Sequence, residues 1–288
     1  MSTKYVKSML DKHGFRFSKS MGQNFLIDGN IPEKIVRLSG IDKSCGVLEV
    51  GPGIGALTVE LSRAAGCVTA VELDERLLPI LCETLDGTHN VEIVQGDILK
   101  MDILKLIIEK MKGLECHVCA NLPYNITTPA ISAFIKAGVF ISITVMVQRE
   151  VARRICAAPG SSDYSAFSVY VNYHTEAKNL FDVPPECFIP QPNVWSSVVR
   201  MELRKKQLLE TEHEQVFFRV VRAAFNQRRK TLINALHSAF GSVMSKGDIT
   251  EIVRQCGFDA KVRGETLSIK DFAKLSECLQ KGYIRVIE

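Results

Sequence analysis

The 288-residue chain has no apolar run of the roughly 18 residues that a membrane-spanning helix needs, so no membrane partner is expected. Its opening stretch, MSTKYVKSMLDKHGF, lacks an apolar core segment, so no secretory signal is expected and the reading is a cytoplasmic protein. Cysteine occurs nine times but without framework spacing, several times inside apolar runs, which points to reduced, buried thiols. The one C-x-x-C, Cys116 to Cys119, lies in an apolar strand with no second pair and no glycine-rich knuckle. Core packing is therefore preferred over zinc or redox chemistry. The six histidines are dispersed and no ordered ligand cluster appears, so no metal is expected. Internal repeats and low-complexity segments are absent as well.

What is present is an ordinary globular composition, 46% hydrophobic and 24% charged, in a chain long enough for one large domain and a small one. The net charge of +4 is unevenly spread. Residues 1–200 carry 20 Lys and Arg against 21 Asp and Glu, whereas residues 201–288 carry 16 against 11. The first twenty residues hold five basic side chains, Lys4, Lys7, Lys12, Arg16 and Lys19, and one acidic, Asp11. Basic ends around a neutral middle hint at a polyanionic partner.

From residue 46 onward, short β-branched runs alternate with amphipathic stretches. GVLEV (46–50), CVTAVEL (67–73), VEIVQGD (91–97), HVCANL (117–122) and FISITVMVQ (140–148) read as strands, apolar almost throughout as parallel strands covered on both faces are. The pattern predicts an α/β fold with a mainly parallel, doubly wound sheet. After Pro190, NVWSSVVRMEL reads as a further strand, RKKQLLETEHE as a linker, and the remainder as helix. A boundary near Lys205 divides a domain of residues 1–204 from a small all-α domain of residues 205–288.

Gly51-Pro52-Gly53-Ile54-Gly55 follows the first of these strands and opens a helix, so Gly51 and Gly53 allow a sharp turn and close backbone approach to a ligand. Glu72, 21 residues beyond Gly51, stands where a carboxylate can take two ribose hydroxyls, although an NAD enzyme fits that spacing too. Asp97 ends QGD and can accept a bond from an exocyclic adenine amine; a helix cap is its plain alternative. Three consecutive strand ends suit a nucleoside. They do not choose between a nicotinamide and a sulfonium.

The fourth strand ends on Asn121, Leu122, Pro123 and Tyr124. This order resembles the S-adenosylmethionine-dependent methyltransferases, and Asn-Leu-Pro-Tyr resembles the signature of those that methylate an amino nitrogen. The lone pair of adenine N6 is delocalised into the ring and is a poor nucleophile. The Asn121 side-chain oxygen and the Leu122 carbonyl can each accept one N6 hydrogen and so favour a pyramidal nitrogen. Pro123 fixes the loop, and the Tyr124 ring can stack on the base. Thr128 and Pro129 read as the cap and first turn of the next helix.

KSMGQNFLID (19–28), LEVGPGIGALT, NLPYNITTPAI, VMVQREVARR, CFIPQPNVWSSVVRM and AFNQRRKTLINAL together resemble the ribosomal RNA adenine-N6 dimethyltransferases along nearly the whole chain. Within that family the bacterial small-subunit branch is the better match. The resemblance implies a Rossmann-like class I methyltransferase domain, S-adenosylmethionine as cofactor, and 16S rRNA of the immature small ribosomal subunit as partner, the chain acting as a monomer. It also implies that Asn24 and Leu26 contact the cofactor with Gln23 close by, and that Asn121 lies near the sulfonium. Phe188 would face the target adenine opposite Tyr124; from the residues alone it could equally be a packing side chain. FNQRRKTL reads as part of an amphipathic helix whose Arg228, Arg229 and Lys230 meet phosphate, with Arg149, Arg153 and Arg154 a second such set; solvated faces are the plain alternative. Three rivals stand beside this reading: a large-subunit methyltransferase of the antibiotic-resistance type, a non-catalytic assembly factor, and a nicotinamide oxidoreductase.

Overall fold

The computed structural model describes residues 3–18, 22–111, 113–206 and 211–287. Residues 19–21 of the KSMG stretch and 207–210 of the expected linker lie outside them. The chain divides into two compact units, Met1–Ala152 with Ala177–Leu203, and Arg153–Glu176 with Arg204–Glu288.

In the first unit, helix α1 (Thr3–Lys12), the two-residue strand β1 (Phe25–Leu26) and α2 (Asn30–Ser39) precede the sheet. Then follow β2 (Cys45–Val50), α3 (Ala56–Ala64), β3 (Cys67–Glu72), α4 (Leu78–Thr84), β4 (Val91–Gln95), α5 (Ile103–Lys110), β5 (Glu115–Asn121), α6 (Thr127–Ala137) and β6 (Ser142–Gln148). These strands pair in parallel. β2 is buried at every position, and apart from Glu49 its sequence is apolar on both faces, as a covered parallel strand requires. Helix α7 (Arg149–Ile155) and α8 (Ala166–His174) lead to β7 (Thr175–Val183), the short β8 (Phe188–Ile189) and β9 (Ser196–Leu203). The main sheet runs β4-β3-β2-β5-β6-β9-β7, with β9 antiparallel to β6. Order reverses between β2 and β5, and the crevice beyond their C-terminal ends is where an open α/β sheet takes ligands.

Two apolar clusters among the described residues help to hold this unit together. Val47, Leu57, Leu61, Cys119 and Phe188 belong to one. Phe25, Ile54, Leu77, Ile80 and Leu81 belong to the other. β1 pairs with β8, matching Leu26 to Phe188 and Phe25 to Ile189. This small antiparallel ribbon ties the segment before the sheet to the connection between β7 and β9.

The second unit is helical: α8 with α9 (Thr211–Asn226), α10 (Leu232–Phe240), α11 (Lys246–Gln255) and α12 (Ile269–Ile287). Phe217, Val220, Val221 and Ala224 repeat at helical spacing on α9 and are buried with Leu232, Leu236 and Phe272. The expected division at residue 204 is corrected in one respect. Arg153–Glu176 packs with the C-terminal helices, because Tyr164, Val169 and Tyr173 are members of their core. The single helix expected through FNQRRKTL is also corrected: α9 stops at Asn226, and residues 227–231 turn before α10. Lys230 N–H closes that turn on the Gln227 carbonyl at 2.8 Å. No helix among the described residues is long and apolar enough to cross a membrane.

Candidate active site

The turn after β2 is shaped by glycine. Gly51 has φ +68° and Gly53 φ +60°, a region that L side chains rarely adopt. A Cβ on Gly51 would meet the Pro123 ring at 3.2 Å, and one on Gly53 would meet the Phe25 ring at 3.0 Å. The bare backbone thus leaves room between β2 and the Asn121–Tyr124 loop. Glu72, the last residue of β3, is 5% exposed. Its Oε2 accepts the Gly53 N–H at 3.3 Å and its Oε1 accepts the Asp74 N–H at 2.8 Å. Burial pushes its pKa up, and these N–H donors oppose that. A carboxylate has about four lone-pair sites, so two remain for other donors.

Beside it lies Glu49, 1% exposed, whose Oε2 has no hydrogen-bond partner among the described residues. Burial, with the nearby Glu72 carboxylate adding to it, pushes its pKa up to about 8. Sequence reasoning passed over this residue, although a carboxyl inside the apolar run GVLEV was a signal.

Asp97 lies past the end of β4, where its Oδ1 accepts the Leu99 N–H at 3.0 Å. It is not the helix cap, since Asp102 caps α5 through the Lys105 N–H. From the N-terminal segment, Gln23 Nε2 donates to Asp74 Oδ2 at 2.7 Å and its Oε1 accepts the Ser18 N–H. Asn24 Nδ2 donates to the Gly22 carbonyl. Leu26 is buried in β1.

Asn121 closes β5, and its Nδ2 donates to the Asn24 carbonyl at 3.3 Å. That bond leaves Oδ1 unspent among the described residues. Leu122 N–H donates to the Met146 carbonyl at 3.1 Å, while no backbone donor among the described residues reaches the Leu122 carbonyl. The Pro123 carbonyl is taken by the Ile126 N–H and the Thr127 hydroxyl, and α6 starts two residues earlier than the sequence suggested, with Ile126 rather than Thr128 at the cap. The Tyr124 hydroxyl lies 2.7 Å from that of Ser196, and burial raises its pKa. Every residue expected to touch the cofactor, together with Asn121 to Tyr124, lines one cavity of about 280 Å³.

The family model for ribosomal RNA adenine dimethylase matches residues 14–281. The chain belongs to this family. It is 47% identical over 276 residues to the ribosomal RNA small subunit methyltransferase A of Shouchella clausii, covering 95% of this chain and 93% of that one. Its match to the protein of the same name from Bacillus pumilus is 46% over 280 residues, 96% of each chain. Among solved structures, a dimethyladenosine transferase from Plasmodium falciparum shares the fold at TM-score 0.77 and 24% identity, over 90% of this chain and 98% of that one. The 23S rRNA methyltransferase ErmE follows at TM-score 0.69 and 25% identity, over 89% and 99%.

Two of the expected residues are engaged elsewhere in this structure. Phe188 is 3% exposed, packed in the apolar core and paired with Leu26, and it is not among the cavity's lining residues. Arg228 is likewise committed: its Nε donates to Glu265 Oε2 at 2.6 Å and an NH2 group donates to the Ser162 carbonyl at 2.6 Å. Arg229 and Lys230 are exposed and make no ion pair among the described residues. Arg153 is exposed and Arg149 half-buried.

Proposed function

We propose that the cavity holds S-adenosylmethionine, and that Asn121 to Tyr124 present the N6 amino group of adenines in small-subunit 16S ribosomal RNA for successive methyl transfers. One observation carries this reading. Among the described residues the Asn121 side chain spends its N–H on Asn24 and keeps its oxygen, and the Leu122 carbonyl beside it meets no backbone donor.

When bound, the cofactor supplies an electrophilic methyl group on a positively charged sulfur. Gly51 and Gly53 admit its amino-acid end, Glu72 takes the ribose hydroxyls with its two remaining acceptor sites, and Asp97 takes the adenine amine. Gln23, Asn24 and Leu26 close the site from the N-terminal segment. Asn121 Oδ1 and the Leu122 carbonyl each hold one hydrogen of the substrate N6, which localises the nitrogen lone pair. The proton leaves after the methyl arrives, so the chemistry is positioning rather than base catalysis. Tyr124 is a stacking surface. Its ring is fixed by the Ser196 hydroxyl, and its raised pKa keeps the phenol neutral.

The natural substrate is the immature small subunit, with two adjacent adenines dimethylated by one monomer. Arg149 and Arg153 in the first set, and Arg229 and Lys230 in the second, supply phosphate contacts. The nine free cysteines support a reducing compartment, the cytoplasm. Identity of 47% to a small-subunit enzyme against 25% to ErmE favours 16S over 23S RNA. The intact Asn121 to Tyr124 geometry favours an enzyme over a silent assembly factor.

The test is single-turnover methyl transfer to immature small subunits. Asn121→Ala is expected to lose about a hundredfold in rate, the scale of a misplaced reacting atom, with RNA affinity nearly unchanged because phosphates elsewhere dominate it. Tyr124→Phe is expected to keep most activity. Transfer by Asn121→Ala at the parental rate would overturn the mechanism.

A further inference from the structure

Trp195 is the chain's single tryptophan. It is 41% exposed, next to Val194 at 43%. The backbone and ring are held by specific contacts. The Arg149 N–H donates to the Trp195 carbonyl at 2.9 Å, and the Arg149 guanidinium lies 5.3 Å from the centre of the Trp195 ring. Ser196, the next residue, pairs with Gln148 at the end of β6 and holds the Tyr124 hydroxyl. Since β6 runs parallel to β5, its end lies on the same rim as Asn121. The exposed ring is thus one residue from the group that fixes the stacking tyrosine.

We propose that Trp195, backed by Arg149, is the stacking platform for the unpaired base next to the adenine held at Tyr124. This rests on the RNA-adenine reading of the site. An adenine drawn into the cavity leaves the stack, and its neighbour loses a stacking face at the same step. A tryptophan offers the largest ring to replace that face, and it does so for any base. Arg149 adds a cation beside it, which suits a strand whose every nucleotide carries a phosphate. Single-stranded RNA is bound by this pairing of aromatic face and positive charge. Trp195 is therefore a substrate contact that sets grip on the strand, separate from the N6 acceptors that set the rate of transfer.

Because the tryptophan is unique, its emission reports on this position alone. The full chain is titrated with a labelled single-stranded oligoadenylate, following label anisotropy and tryptophan emission together, and with inorganic polyphosphate as a charge-only control. Saturable quenching by oligoadenylate and none by polyphosphate is expected. In parallel, Trp195→Ala should raise KM for immature small subunits about tenfold, the effect of one lost base–aromatic stack, with kcat and S-adenosylmethionine affinity close to parental. Trp195→Phe should recover most of that loss. Emission that stays constant with oligoadenylate bound, or equal quenching by polyphosphate, overturns the proposal. So does a Trp195→Ala enzyme with parental KM. A parental enzyme that transfers no methyl to small subunits refutes the functional reading instead, and the emission titration then decides the stacking role by itself.

Discussion

Gly51 couples the cofactor turn to the substrate loop, and an alanine there tests that coupling against a built-in control. The residue has φ +68°, and its absent Cβ would stand 3.2 Å from two atoms of the Pro123 ring. Alanine in this left-handed region costs about 1–2 kcal/mol of backbone strain. Gly87 has φ +78° with nothing within 4 Å of where a methyl would stand, so Gly87→Ala should carry the strain and nothing else. Both variants should therefore lose a similar 1–2 kcal/mol in urea unfolding, roughly. Only Gly51→Ala must also push Pro123 aside by a few tenths of an ångström. Because about 1 Å of misplacement costs on the order of a hundredfold in rate, a third to a half of that should cost about four- to tenfold. Single-turnover methyl transfer measures the rate, and calorimetric titration measures the affinity for S-adenosylmethionine. Gly87→Ala should match the parent in both. If Gly51→Ala also matches the parent in transfer rate, the close approach of glycine to Pro123 has no bearing on positioning and the reasoning fails.

The basic turn after α9 makes a second prediction. Arg229→Ala and Lys230→Ala should each flatten the slope of log K against log salt for RNA by about one unit, whereas Arg228→Ala should leave the slope alone and cost about 1 kcal/mol of stability through the lost Glu265 pair; equal slopes for all three variants would count against phosphate contact. The third concerns Glu49, whose pKa rises to about 8 in the folded protein. Above the ordinary Glu value of about 4.3 the unfolded chain releases this proton while the native chain keeps it, so stability falls as pH rises from about 5 to 8, by up to about 1.4 kcal/mol per unit. Glu49→Gln should flatten that fall when urea midpoints at pH 5.5 and 7.5 are compared, and an unaltered difference would rule the carboxyl out as its source.

Parallel topology explains why so much of the cavity was legible in the sequence. Each apolar, β-branched run became a strand, and parallel strands must end on one rim, so residues closing successive runs had to converge. Gly51, Glu72, Asp97 and Asn121 needed no contact information to be placed together. β7 was not legible, because TEAKNLFDV sits at the sheet edge with polar residues on much of its length. β1 and β8, two residues each, are too short to show any period. Burial of Phe188 follows from pairing with Leu26, a partner far away in sequence. The commitment of Arg228 follows in the same way from Glu265. Periodicity reports which face of an element is apolar; it is silent on which distant segment arrives to cover a side chain. Glu49 was the avoidable omission, since a carboxyl amid GVLEV contradicts the pattern that made the strand readable.

The same contacts argue that the residue closing β5 has to be an amide. In the proposed mechanism Asn121 both gives and receives: its Nδ2 donates to the Asn24 carbonyl, and its Oδ1 serves the substrate. An aspartate would present two acceptors, and one of them would face the Asn24 carbonyl at about the same 3.3 Å, oxygen against oxygen. Protonating the aspartate would restore that donor and return the geometry of the amide. The cavity would encourage this, since Glu49 and Glu72 already line it with pKa values raised by burial. A site that depended on such a proton would then gain and lose its orienting bond with pH. Asparagine holds the orientation at every pH and adds no further carboxyl to a cavity already lined by Glu49, Glu72 and Asp97. Both features serve the proposed chemistry, in which the loop holds a neutral amine in line with a methyl group.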